Sequence, residues 1–160
     1  MPDVVVVCGH PSPGSRTLRL ATALGERIAR SRGQAVFSTV DVARLGPGLL
    51  TPDDGATGAA LLEVQDAAVL IVATPTYRGT FSGALKVLLD QLPANALAGV
   101  LAVPVVTAEV QSQADTAEAF LARLLRELGA DVVDFGLTAA GPELSDPAGV
   151  ADQYTAALIP

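Results

Sequence analysis

The apolar residues of the chain follow two distinct periods. Val4-Val5-Val6-Val7 is apolar at consecutive positions, and residues 68–73 and 100–106 repeat that pattern. A short run with no polar face suits a central strand covered on both sides. Residues 35–40 and 132–137 mix polar and apolar positions, which suits the edges of the same sheet. Between these segments the spacing changes to three or four. Leu20, Leu24 and Ile28 line one face of a helix over residues 17–32, and Gly33 follows as a natural cap. Leu85, Leu88, Leu89 and Leu92 form a second stripe, ended by Pro93. Phe120, Leu121, Leu124, Leu125 and Leu128 form a third, ended by Gly129. Thr51-Pro52-Asp53-Asp54 has the makings of an N-cap, a first-turn proline and acidic first-turn residues, opening a helix to about residue 65. A last helix is expected over residues 147–158.

Strands alternating with helices imply right-handed crossovers: an α/β, three-layer fold with five parallel strands and helices on both faces, in a single domain over residues 1–160. Pro104 is the misfit, because a central strand uses the N–H that proline lacks. Ligands of such sheets bind outside the carboxyl ends of the strands, near the point where strand order reverses. The informative loops are therefore residues 10–17, 74–82 and 107–113.

Composition narrows the classes of partner. With 10 Lys plus Arg against 17 Asp plus Glu, the formal charge is -7. Lys86 is the sole lysine and the arginines are scattered, so binding to nucleic acid is not expected. Half of the residues are hydrophobic and mean hydropathy is +0.44, enough to build a substantial core. The longest apolar stretch, residues 96–106, is too short to span a bilayer and is interrupted by Gly99 and Pro104. Met1-Pro2-Asp3 followed by four valines does not resemble a secretory leader, and a cytoplasmic location is expected. Cys8 is the lone cysteine, which excludes an internal disulfide and a thiolate metal cluster and suits burial at a strand end. No carboxylate or histidine spacing suggests a metal site, and a single His10 cannot support a Ser-His-Asp arrangement with a confirmed partner.

The first loop, Gly9-His10-Pro11-Ser12-Pro13-Gly14-Ser15-Arg16-Thr17, runs into a helix. The hydroxyls of Ser12, Ser15 and Thr17, the Arg16 guanidinium and the unpaired N–H groups of the helix start suit a phosphate. Its spacing is neither Walker A nor Gly-x-Gly-x-x-Gly, so a phosphate such as that of flavin mononucleotide fits better than a nucleoside triphosphate. Alternatively, Ser15 merely caps the helix. The second loop, Thr74-Pro75-Thr76-Tyr77-Arg78-Gly79-Thr80-Phe81-Ser82-Gly83, brings two aromatics and two glycines to a place where backbone can approach a flat ligand.

That loop, continued as Ala84-Leu85-Lys86-Val87-Leu88-Leu89-Asp90-Gln91-Leu92-Pro93, resembles the corresponding stretch of the NADPH-dependent FMN reductase family, particularly the small flavin reductases that feed two-component sulfonate monooxygenases. The resemblance implies a flavodoxin-like fold with strand order 2-1-3-4-5, FMN at the carboxyl edge, and hydride transfer from NADPH or NADH to the flavin. It further implies a homodimer or homotetramer and a partner monooxygenase. Ser15, Arg16 and Thr17 match the family's phosphate loop, and Pro75, Thr76, Tyr77 and Arg78 its flavin-ring loop; Ser12 and Thr107 complete the expected cofactor contacts. Arg78 is also placed to reach the nicotinamide dinucleotide.

Two departures open alternatives. Gly9-His10-Pro11-Ser12 stands where the family usually has Gly-Ser-Pro-Arg, and Thr107-Ala108-Glu109 stands where a Gly-Gly pair usually meets the flavin edge. A carboxylate at that edge disfavours an anionic reduced flavin. His10 and Glu109, each following a strand, are therefore candidates for the acid and base of a flavin-free reaction. A flavodoxin-like electron carrier, meeting a basic partner through its acidic surface, is the third possibility.

Overall fold

The computed structural model describes residues 2–158. The chain runs β1 (Val4–Cys8), α1 (Arg16–Ser31), β2 (Ser38–Asp41), α2 (Val42–Leu45), a short 3-10 turn (Gly46–Leu50), α3 (Gly55–Asp66), β3 (Val69–Pro75), α4 (Gly83–Leu89), β4 (Leu101–Ala108), α5 (Gln111–Glu127), β5 (Asp131–Val132), β6 (Leu137–Ala140), a second 3-10 turn (Gly141–Ser145) and α6 (Pro147–Leu158). The strands are parallel in the order β2-β1-β3-β4-β5, and β6 also pairs with β4. This is the flavodoxin-like arrangement that the family resemblance implies.

Alternation along the central strands divides the core in two. Val4 and Val6 of β1, Val69 and Ile71 of β3, and Val103 and Val105 of β4 face Leu20, Leu24 and Ile28 of α1 and Tyr154 of α6. Val5, Val7, Leu70, Val72, Ala102 and Val106 face the other way, toward Val64 of α3, the leucines of α4, and Leu121 and Leu125 of α5. Each buried Val or Leu contributes about 1.5–3 kcal/mol. A one-residue slip in register would exchange the two faces, but both are apolar, so the ladder and the crossovers must help hold it.

The fifth position of the sheet departs from the sequence reading. Residues 132–137 do not form one strand: pairing stops at Val132 and resumes at Leu137, opposite Val105. Pro104 accounts for the break. Asp131 N donates to Val100 O and Val133 N to Ala102 O, so the even-numbered residues of β4 turn their backbone polar groups to this edge. Pro104 therefore presents its missing N–H to the gap, while its side facing β3 keeps an intact ladder. Gly136 backs onto the same place, where an added Cβ would lie 2.7 Å from Pro104 O.

Other boundaries shift for local reasons. The cap of α3 is Asp54, which accepts from Thr57 N at 3.0 Å, and not Thr51. Pro52 and Asp53 form a preceding turn in which Asp53 has φ +60°, outside any helix. The strand expected over residues 35–40 starts at Ser38, and α5 begins at Gln111, well before its leucine stripe.

Candidate functional site

The chain leaves β1 toward β2 on one side and later returns to place β3 on the other, so strand order reverses between β1 and β3. A cleft of about 160 Å³ opens there, at the carboxyl edge. One wall comes from His10, Arg16 and Thr17, and the other from Pro75, Thr76 and Tyr77. Thr107, Ala108 and Glu109 at the end of β4, with Leu144 after β6, close it.

The first wall is the start of α1. Ser15 caps the helix, its Oγ accepting from Leu18 N at 3.0 Å. Both alternatives for Ser15 are compatible, because an accepting hydroxyl keeps its proton for donation to an anion. The Arg16 and Thr17 N–H groups lie in the first turn, where no preceding helical carbonyl exists to receive them. Thr17 itself points inward: its Oγ1 lies 2.8 Å from Thr107 Oγ1, a buried pair that ties α1 to β4. Thr76 Oγ1 donates to Thr107 O at 2.9 Å, bringing the second wall into the same network.

Beneath the walls, Ser82 ties the loop after β1 to the end of β3 and the start of α4. Its Oγ donates to Gly9 O at 2.6 Å and accepts from Leu85 N at 3.1 Å, and its N–H donates to Thr74 Oγ1 at 2.9 Å. Gly9 is required by packing here, since a Cβ would come within 2.7 Å of Leu85 Cβ. Tyr77-Arg78-Gly79-Thr80 then forms a tight hairpin turn with reciprocal backbone bonds between Tyr77 and Thr80. Arg78 (φ +52°) and Gly79 (φ +83°) both take positive φ, the pattern of a type I′ turn. Arginine at the first of these positions is sterically unfavourable, and the turn holds its side chain out in solvent.

His10 Nδ1 accepts from Ser12 N at 3.0 Å. The neutral ring then carries its proton on Nε2, which faces Tyr77 Oη at 3.5 Å, with the two rings edge to face. Glu109 turns to the opposite wall, where its carboxylate lies 3.6 Å from an Arg16 guanidinium nitrogen. His10 and Glu109 thus share the cleft, but among the described residues no hydrogen bond or ion pair joins them. Cys8 is buried below, and burial pushes its thiol up, so it stays protonated and structural.

The structure brings together most residues singled out in the sequence. Ser12, Ser15 and Arg78 stand outside the cleft lining, Ser12 and Arg78 exposed and Ser15 half-buried at the cap of α1. Ala108 lines the cleft beside Glu109, as the sequence of the third loop implies, whereas Leu144 is not anticipated; Gly141-Pro142, breaking the chain just after the fifth strand position, is the signal that points to Leu144's loop. Among the described residues no cluster of metal-ligating side chains occurs.

Residues 2–141 match the family model of NADPH-dependent FMN reductase. The chain belongs to that family. It is 37% identical over 84 residues to the FMN reductase (NADPH) of Escherichia coli K12, covering 52% of this chain and 44% of that protein. With the FMN reductase (NADPH) of Pseudomonas aeruginosa it shares 39% identity over 98 residues, covering 59% and 53% respectively. The matched segment thus spans about half the length of these relatives. Among solved structures, the apo form of an NADH:FMN oxidoreductase (EMOB) superposes with a TM-score of 0.79 at 28% identity, covering 99% of this chain and 90% of that one. An oxidoreductase from Corynebacterium diphtheriae superposes with a TM-score of 0.78 at 24% identity, covering 98% and 96%, and shares the fold. The match to the NADPH-dependent FMN reductase family covers every cleft-lining residue except Leu144.

Proposed function

We propose that this chain is an NAD(P)H-dependent FMN reductase that passes reduced flavin to a partner monooxygenase. The observation that carries the reading is the composition of the cleft: a cation and a helix start on one wall, a flat backbone segment on the other, at the strand-order reversal. These residues fit FMN. Arg16, the first-turn N–H groups and the Ser15 hydroxyl would hold its phosphate, and Pro75, Thr76 and Tyr77 would lie along its ring. Ser12, three residues before Ser15 in the same loop, would add a hydroxyl to the phosphate end.

When bound, FMN supplies the hydride acceptor. The task of the protein is orientation. The Thr17–Thr107 and Thr76–Thr107 hydrogen bonds hold the phosphate wall and the ring wall at a fixed separation. Arg78, held outward by its turn, would meet the phosphates of NADPH or NADH. Hydride transfer between two rings requires no protein acid or base, so His10 serves as a support for Tyr77 and Ser12 in this reading.

A volume of about 160 Å³ is small beside the roughly 300–1,000 Å³ of small-molecule sites. A homodimer or homotetramer that completes the pocket accounts for this. Phe120, half exposed on α5 beside Phe81 and Leu124, supports such an interface close to the Tyr77 turn. Among the described residues no helix is long and apolar enough to cross a membrane.

The test is the absorption spectrum of the purified protein titrated with FMN, followed by NADPH or NADH without oxygen. Binding with a perturbed flavin band, bleached by the nicotinamide, is expected. No binding at tens of micromolar FMN overturns the reading. Bound flavin that neither nicotinamide reduces makes the chain an electron carrier.

A further inference from the structure

We infer that Glu109 acts as an internal competitor for the flavin phosphate, setting how tightly the cleft holds phosphorylated flavin and how readily it releases it. The inference rests on the reductase reading above. Among the described residues Arg16 is the one Lys or Arg lining the cleft, and its guanidinium is paired with the Glu109 carboxylate at 3.6 Å. The pair bridges two loops: Arg16 opens α1 after β1, and Glu109 follows β4. Both side chains are largely exposed, at 54% and 83%, so the carboxylate is free to swing away. The contact is an ion pair, and among the described residues no side-chain hydrogen bond anchors the Glu109 carboxylate.

An incoming phosphate needs the same guanidinium. A carboxylate and a phosphate offer an arginine the same kind of paired oxygens, so one displaces the other. If the carboxylate stays, it repels the dianion at short range; if it leaves, the phosphate must replace an existing ion pair. Either way Glu109 weakens the bound state of FMN without touching its ring. The consequence is a specific one. Affinity for FMN is held down, while riboflavin, which has the same ring and no phosphate, is unaffected. Such a device suits a flavin that enters and leaves as a substrate, since residence time follows affinity chiefly through the dissociation rate.

The experiment measures FMN and riboflavin binding by flavin fluorescence for the unmodified chain, Glu109→Gln, Arg16→Ala and the double variant. Glu109→Gln is expected to tighten FMN by about threefold to tenfold, the range of a partly exposed charge interaction. Riboflavin affinity should not change, and the gain should shrink when Arg16 is absent, leaving only the direct repulsion between carboxylate and phosphate. Rising salt should narrow the difference between Glu109 and Gln. Unchanged FMN affinity in Glu109→Gln, or an equal gain for riboflavin, overturns the inference while leaving the reductase reading intact. Failure of both the unmodified chain and Glu109→Gln to bind FMN refutes the reductase reading, and the inference with it. Melting curves report folding independently, and the exposure of Glu109 predicts that they superpose.

Discussion

Replacing Ser82 with Ala removes the oxygen on which the two walls of the cleft rest. That hydroxyl is almost fully buried, caps α4 through Leu85 N and donates to Gly9 O at 2.6 Å. Loss of a serine cap destabilises by about 1 kcal/mol. A buried carbonyl deprived of its donor adds about 1–3 kcal/mol. One oxygen makes both contacts, so a total of about 3 kcal/mol is expected, and for a chain of this size that lowers Tm by about 6–12 °C. The assay is thermal unfolding followed by circular dichroism, with Ser112→Ala, exposed near the start of α5, as the neutral comparison. A fall of less than about 2 °C for Ser82→Ala would refute the reasoning. It would mean that water or a backbone shift satisfies Gly9 O at no cost.

Three further expectations follow from the same geometry. Thr17→Val and Thr107→Val should each destabilise by about 1–3 kcal/mol by stranding a hydroxyl, whereas the double variant should lose less than the sum, which a denaturant double-mutant cycle measures. Arg78→Asn should stabilise by about 0.5–1 kcal/mol, because asparagine tolerates φ +52° better than arginine, while raising KM for NADPH if Arg78 meets the dinucleotide. Tyr154 donates to Phe135 O at 2.8 Å, and burial with the nearby Glu118 carboxylate pushes its phenol well above the usual range. The unfolded chain therefore ionises this phenol first, so its contribution is complete below about pH 10 and is lost as pH rises through the folded value. Denaturation midpoints of Tyr154→Phe should fall less steeply than those of the unmodified chain at strongly alkaline pH.

Periodicity made the central sheet legible, because Val4 to Val7 and the runs starting at Ala68 and Val100 are apolar on both faces and admit few other placements. The fifth position was not legible. Val132 and Leu137 look like the ends of one strand, but the missing N–H of Pro104 acts across the sheet, on a neighbour that pattern alone does not identify. The start of α3 was misplaced for a similar reason. Thr51-Pro52 and Asp54 are both acceptable openings locally, and the positive φ of Asp53 decides between them. Within the site, the order of strands and loops located His10, Arg16, Thr17, Tyr77 and Thr107 at one edge. Side-chain direction was beyond the sequence. Glu109, expected at the flavin edge, turns to Arg16, and the Thr17 hydroxyl, placed by sequence only at a helix start, pairs with Thr107.

The central claim is that FMN binds in this cleft with its phosphate at the start of α1. A structure of the chain crystallised with FMN tests it most directly. The account predicts phosphate oxygens at the Arg16 guanidinium and the first-turn N–H groups, with the flavin ring along Pro75, Thr76 and Tyr77. A flavin bound anywhere else, or in this cleft with its phosphate away from α1, would contradict it.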